Sequence, residues 1–399
     1  MLERIAETGL YGWETRKSAG LQRLALAEVP GQSFKAIASG GSRGMHSWRA
    51  FVRTAVSAFA CVVVLLAALV ASMNPYGNLP RILFSEHVIA DTNQRFQYPA
   101  LVRSQRYDSI VIGASDSRLL HPQALDRVFG GRFANLAFNA GRAYEQYRLA
   151  MLFIDEVRNR RTLLVGLDHV WCDEDADDKR TTFRGFPEWM YDGDWWNDLR
   201  YMLNPKTVEI SGRRFAQAIG MRGARYRDGY EVFLPPESAY DPVKVKQKLW
   251  GKDDPGVALV VPPYKASSAE RIGWQFPALT WLDEIAARFG GRVVFVYAPA
   301  HIAAQPRPGS LEEARLDECK TRIAALARSH KAPFIDFNIR SEITANDANW
   351  WDRLHYRLPI AERVVAGIER ALKTGKDDPQ GDWRYVEGPR AEAFLSVAP

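Results

Sequence analysis

The sequence predicts an α/β fold: a mainly parallel sheet with helices on both faces, preceded by one transmembrane helix. Three observations carry this reading. Ala55 to Met73 is an apolar run without a single charge. From Ser109 onward, short apolar runs alternate with segments of helical apolar rhythm, the pattern of βαβ crossovers. Apolar residues make up 47% of the 399 and charged residues 25%, so a chain of this length can build a sizeable core.

In chain order, residues 1–54 come first. They hold eight Lys or Arg against four Glu, so four of the six net positive charges of the whole chain fall there. They carry weak periodicity and a Gly/Ser-rich stretch at Ser39–Ser42, and read as a disordered, basic, cytoplasmic tail. Met45 is an alternative start, because Met45 to Arg49 would make an ordinary signal-peptide n-region. The run at 55–73 is long enough to cross a hydrocarbon core of about 30 Å. Arg43, Arg49 and Arg53 precede it and no basic residue follows before Arg81. The positive-inside rule then places the N-terminus in the cytoplasm and the main domain outside, periplasmic or otherwise extracytoplasmic. A cleaved signal peptide, with small residues at Val70-Ala71-Ser72, is the competing view.

The main domain is expected over 74–376, after the turn formers Asn74-Pro75-Tyr76-Gly77. Residues 81–106 read as a polar, helical lead-in. Strands are expected at 109–113, 133–137, 162–166, 292–297 and 334–337. Helices are expected near 145–157, 277–289, 310–330 and 359–373. Between 171 and 276 the rhythm breaks into an insertion rich in aromatic and charged residues, among them Trp189, Tyr191, Trp195, Trp196, Tyr201 and Trp250. Such excursions tend to be lids or binding subregions, although ordinary core packing explains its tryptophans equally well. Residues 377–399 read as a loosely ordered tail.

Several function classes are excluded or disfavoured. The main body has no basic stripe with interleaved aromatics, so nucleic acid is not expected as a partner. No G-x-G-x-x-G or P-loop occurs, and no cofactor is expected. No metal site is expected either: the acidic cluster Asp173–Asp178 lacks calcium-loop spacing and reads as a solvated loop. The chain has three cysteines and no C-x-x-C. An oxidising compartment would permit a Cys172–Cys319 disulfide, but the spacing does not call for one.

In parallel sheets the functional crevice lies beyond the carboxyl ends of the strands. The first strand delivers Gly113-Ala114-Ser115-Asp116-Ser117-Arg118 there. A serine at such a turn exposes its hydroxyl beside backbone amides able to support an oxyanion. Ser115 or Asp116 as a simple helix N-cap is the alternative. After the last strand stands Trp351-Asp352-Arg353-Leu354-His355-Tyr356. A serine needs a base to become a nucleophile, normally a histidine oriented by a carboxylate. Asp352 and His355 are close enough in sequence to meet; a surface ion pair is the plainer reading of the same spacing.

A strand ending in G-x-S near the start, with D-x-x-H before the last helix, resembles blocks I and V of the SGNH (GDSL-like) hydrolase superfamily, over roughly residues 107–373. The resemblance implies a flavodoxin-like sheet, Ser115 as nucleophile, His355 as general base and Asp352 as its orienting partner. Ser117 is the alternative nucleophile. It implies Gly141, in Asn139-Ala140-Gly141, as an oxyanion-hole donor, with the Asn139 side chain as a substitute. The family's third block is usually G-x-N-D, and this chain has Gly166-Leu167-Asp168-His169. Asp168 thus stands where the family has asparagine, and an ionised carboxylate repels an oxyanion. Either Asp168 is protonated, or Asn139 takes over, or the site is degenerate.

A single membrane helix before such a domain is similar to SGNH proteins that O-acetylate secreted polysaccharides beside a multispanning acyl-donor partner. The expectation is a membrane-tethered serine esterase or O-acyltransferase acting on acyl esters of envelope or secreted glycans. The rivals are a catalytically inactive glycan-binding or scaffold module, and a structural anchored protein in which Asp-x-x-His is coincidence.

Overall fold

The computed structural model describes residues 43–79, 93–202, 204–223, 227–251 and 260–388, and the chain divides into two compact units, residues 1–59 and 60–399. Helix α1, Arg43–Met73, runs through that boundary. Its Ser47–Met73 portion is long and apolar enough to cross a membrane, with a mean hydropathy of 2.6. In the first unit its side chains Phe51, Val56 and Phe59 are exposed. The disordered tail expected over 1–54 is therefore corrected for Arg43–Thr54, which are helical. Extending a helix costs far less than starting one, so an apolar helix carries its polar lead-in along. Residues 1–42 lie outside the described residues.

In the second unit the last turns of α1 are covered: Val70 and Met73 are 2% and 4% exposed. Asn74-Pro75-Tyr76-Gly77 then turns the chain, with Asn74 in a left-handed conformation at φ 41°. Of the expected lead-in, the described part forms a short 3-10 turn and helix α2, Tyr98–Arg103; residues 80–92 lie outside.

Six strands form one sheet: β1 Ser109–Ile112, β2 Phe133–Asn135, β3 Thr162–Leu167, β4 Arg292–Tyr297, β5 Phe334–Asp336 and β6 Arg384–Glu387. Their order is β2-β1-β3-β4-β5-β6, parallel except for antiparallel β6. The order 2-1-3-4-5 of the parallel strands is that of flavodoxin-like sheets, in which the strand order reverses between β1 and β3. The connecting helices are α3 Pro122–Phe129, α4 Ala143–Glu156, α9 Ala278–Arg288, α10 Leu311–Ser329, α11 Glu342–Ala345 and α12 Leu358–Thr374. The insertion supplies α5 Trp195–Tyr201, α6 Pro205–Ala218, α7 Pro242–Trp250 and α8 Ser268–Gly273.

Strand side chains alternate between two cores, as a period of two requires. Ile110, Ile112, Leu163, Val165, Phe295 and Tyr297 face α2, α4, α9 and α10. Val111, Leu164, Val294 and Val296 face α3, α7 and α12. Both faces are covered, which is why these strands read as unbroken apolar runs.

Two further expectations are corrected. Residues 377–388 are not a loose tail: β6 pairs with β5, and buried Trp383 packs on Phe337. The signal missed was one short strand that adds an antiparallel edge; residues 389–399 lie outside the described residues. Cys172 and Cys319 are joined in a disulfide that ties the start of the insertion to α10. Their separation of 147 residues carries no sequence signal, because only the packing of α10 beside the end of β3 brings them together.

Candidate active site

β1 ends at Ile112, and Gly113-Ala114-Ser115 leads into a tight turn in which Ser117 N–H donates to Ala114 O at 3.2 Å. Asp116 caps this turn, its Oδ1 accepting from Ser117 N–H at 2.7 Å. Ser117 points inward. A Cβ on Gly113 would lie 2.6 Å from its Oγ, and one on Gly166 only 1.9 Å away, so the two glycines make room for it between strand ends. Buried in that slot, Ser117 is a packing residue. Ser115 is only half-buried and faces the opposite loop.

That loop follows β5 and α11. Trp350 and Tyr356 form an antiparallel bridge, and Trp351 N–H donates to His355 O at 2.8 Å. The hairpin is anchored by Trp350 Nε1 on Ile343 O at 2.9 Å and by Tyr356, whose hydroxyl donates to Asp116 O. Within it Asp352 folds back, accepting from the amides of Leu354 at 2.9 Å and His355 at 3.0 Å. The result joins two segments 240 residues apart: Ser115 Oγ lies 2.8 Å from His355 Nε2. On the other side of the ring, Nδ1 lies 2.9 and 2.8 Å from the two Asp352 oxygens. A carboxylate only accepts, so Nδ1 carries the hydrogen and Nε2 presents its lone pair to the serine hydroxyl. Burial pushes the Asp352 carboxyl up, but hydrogen bonds from the His355 ring and from the two amides outweigh it and hold it below its ordinary value.

The loop after β2 lies against the same strand end. Phe138 N–H donates to Gly113 O at 2.9 Å, and a Cβ on Gly141 would stand 3.2 Å from that carbonyl and 2.9 Å from Phe138 Cβ. Gly141 is thus required by close approach. Among the described residues, the amide hydrogens of Ser115 and Gly141 have no acceptor. Two buried arginines brace this loop. Arg95 donates to Asn139 O at 3.2 Å and Ala140 O at 3.4 Å, and its charge is met by buried Glu145. This holds Ala140 at φ 49°, a region a non-glycine residue rarely adopts. Arg118 donates to Asn139 Oδ1 at 2.6 Å and to Glu231 Oε2 at 2.6 Å. A guanidinium only donates, so the Asn139 amide is fixed with its oxygen toward Arg118. Its Nδ2 is left without an acceptor among the described residues.

Asp168 follows β3 directly and is buried. Its Oδ1 accepts from Val170 N–H at 3.0 Å. Burial, with some repulsion from Asp173, pushes its carboxyl up to about 7. Asp116 is likewise pushed up to about 7, first by its crowded surroundings and then by the charge of Asp168. Next to Ser115 and just past β3, two carboxyl groups therefore resist ionisation.

The insertion reaches the site through one segment. Phe233 packs edge-on against His355, with ring centroids 5.4 Å apart, and Arg118 stacks 4.7 Å above Phe233. The tryptophans of the insertion go elsewhere: Trp189 packs on Tyr76 and Tyr201, and Trp250 stands over His301. Trp196 is exposed, and the side chain of Trp195 lies outside the described residues. In the acidic cluster, Asp173 pairs with Arg142 and Asp175 with Lys179.

Sequence reasoning missed Arg118, Glu231, Phe233 and Asp116 as members of this site. Arg118 had a signal, three residues after Ser115. Glu231 and Phe233 had none, because their place is set by how the insertion folds back. No protein-family model matches the chain, and no curated protein matches it.

Proposed function

We propose that the chain is a membrane-tethered SGNH-type serine esterase or O-acyltransferase acting on acyl esters of cell-envelope or secreted glycans. One observation carries the reading: the Ser115–His355–Asp352 relay at hydrogen-bond distances throughout. Ser115 Oγ attacks the acyl carbonyl while its proton passes to His355 Nε2. Asp352 stabilises the imidazolium. The oxyanion is met by the amides of Ser115 and Gly141 and by Asn139 Nδ2. The carbon–oxygen bond to the leaving alcohol breaks as His355 returns the proton to it, leaving an acyl-serine. Water or a sugar hydroxyl then gives its proton to His355, attacks the acyl group and releases Ser115.

The Cys172–Cys319 disulfide supports an oxidising compartment for the main domain. The charge asymmetry about α1 agrees, with the N-terminus in the cytoplasm. A multispanning acyl-donor protein in the same membrane is the partner this reading implies. The inactive-module reading rests on Asp168 in place of asparagine. Below about pH 7 burial keeps the Asp168 carboxyl protonated, and it can then donate from its hydroxyl as an amide would.

A fluorophosphonate probe on the purified full chain tests the assignment. Labelling should occur, persist in Ser117→Ala and vanish in Ser115→Ala. Labelling that survives Ser115→Ala overturns it, and no labelling with retained glycan binding favours the inactive module.

A further inference from the structure

Helix α6 presents three faces. Thr207, Ile210, Ser211 and Arg214 are buried. Lys206, Glu209 and Arg213 form a polar face laced by ion pairs. Val208, Gly212, Phe215 and Ile219 follow at intervals of four, three and four, which makes one stripe on a helix. Phe215 is 45% exposed, Ile219 52%, and Met221 just beyond 77%. The helix is already docked through its largely polar buried face, so Phe215, Ile219 and Met221 are left facing outward.

The buried face of α6 lies on the chain segment that leaves α1: Thr207 Oγ1 is 2.9 Å from Tyr76 OH, and Arg214 Nη1 donates to Asn74 O at 2.8 Å. The apolar stripe is therefore within roughly one helix diameter, about 10 Å, of the point where the apolar helix ends. Only the last turns of α1 are covered, with Val70 and Met73 buried, so the apolar helix ends beside the part of the domain that carries α6.

We infer that the apolar stripe of α6, continued by Met221, rests in the surface of the lipid bilayer on the side where the main domain emerges. The inference rests on the reading that α1 spans a membrane. A domain so held touches the membrane at two places and cannot swivel freely about its anchor.

The test uses the full chain in phosphatidylcholine vesicles, carrying an environment-sensitive nitrobenzoxadiazole label on one cysteine at a time. Cys61, exposed on α1, reports the span itself. In a Cys61→Ser background, Phe215→Cys and Ile219→Cys report the stripe, and Glu209→Cys reports the polar face. Spin-labelled lipid should quench the labels at 61, 215 and 219 at least twofold and leave that at 209 nearly unchanged. Quenching at 61, with 215 and 219 behaving like 209, overturns the inference and leaves the span standing. No quenching at 61 removes the span and the inference with it. All four positions are exposed, so the substitutions leave the core intact.

Discussion

Asp168→Asn separates the cost of a buried carboxylate from the proposed chemistry. Burial raises the Asp168 carboxyl from 3.8 to about 7 in the folded chain. The unfolded chain keeps the lower value. Below about pH 4 both states are protonated and the residue costs nothing. As the pH rises from about 4 to 7, the unfolded state sheds its proton first, so stability falls over that window. At 1.36 kcal/mol per unit, a difference of about 3 units amounts to about 4 kcal/mol above pH 7. Asparagine keeps the oxygen that accepts from Val170 N–H and carries no charge to bury. The variant should match the parent within about 1 kcal/mol at pH 4.5 and exceed it by about 2–4 kcal/mol at pH 8.5. At roughly 2 °C per kcal/mol, that is a gain of about 4–8 °C in Tm at the higher pH. Asp116 retains part of the slope, but a smaller part, because the charge of Asp168 contributes to its shift. The assay is the thermal unfolding of the detergent-solubilised chain, followed by tryptophan fluorescence at both pH values. Fluorophosphonate labelling should fall above pH 7 in the parent, where an ionised Asp168 repels the oxyanion, and hold in the variant. Parallel Tm profiles, or a variant less stable at pH 8.5, would refute the argument that Asp168 is held neutral by burial.

Two other outcomes are expected. Arg118→Lys keeps the charge but loses the fork that holds Asn139 and Glu231 at once. With Asn139 no longer positioned, kcat on p-nitrophenyl acetate should drop about 10- to 100-fold with KM nearly unchanged; a change confined to KM would show that Arg118 shapes binding instead. Thiol titration of the denatured chain should find one free cysteine, Cys61, before reduction and three after. Opening the 147-residue loop in Cys172→Ala/Cys319→Ala should cost up to about 5 kcal/mol by the chain-entropy account, read as a lower Tm. Three free thiols before reduction would remove the bond and its support for an oxidising compartment.

Much of the architecture was legible because it is encoded locally. Strands buried on both faces must be apolar throughout, so β1, β3 and β4 stand out as runs. Crossover helices must bury one stripe, so α4, α9, α10 and α12 appear with boundaries off by only a few residues. β6 escaped because one antiparallel edge strand after the last helix carries too little pattern. The exposed stripe of α6 escaped because the face that the helix buries is mostly polar, so the sequence pattern does not say which side faces the domain.

The sequence by itself determined the alternation of strands and helices, the apolar helix before them, and the placing of a serine and an Asp–His pair just past strand ends, because each follows from short-range pattern. Only the tertiary structure decided that Ser115 and not Ser117 meets His355, that Arg118 and Arg95 brace the Asn139 loop, that Asp168 lies in a site that resists its charge, and that Cys172 reaches Cys319. Those are contacts between residues far apart in the chain, and their geometry is set by how helices pack on a twisted sheet rather than by any neighbour in sequence.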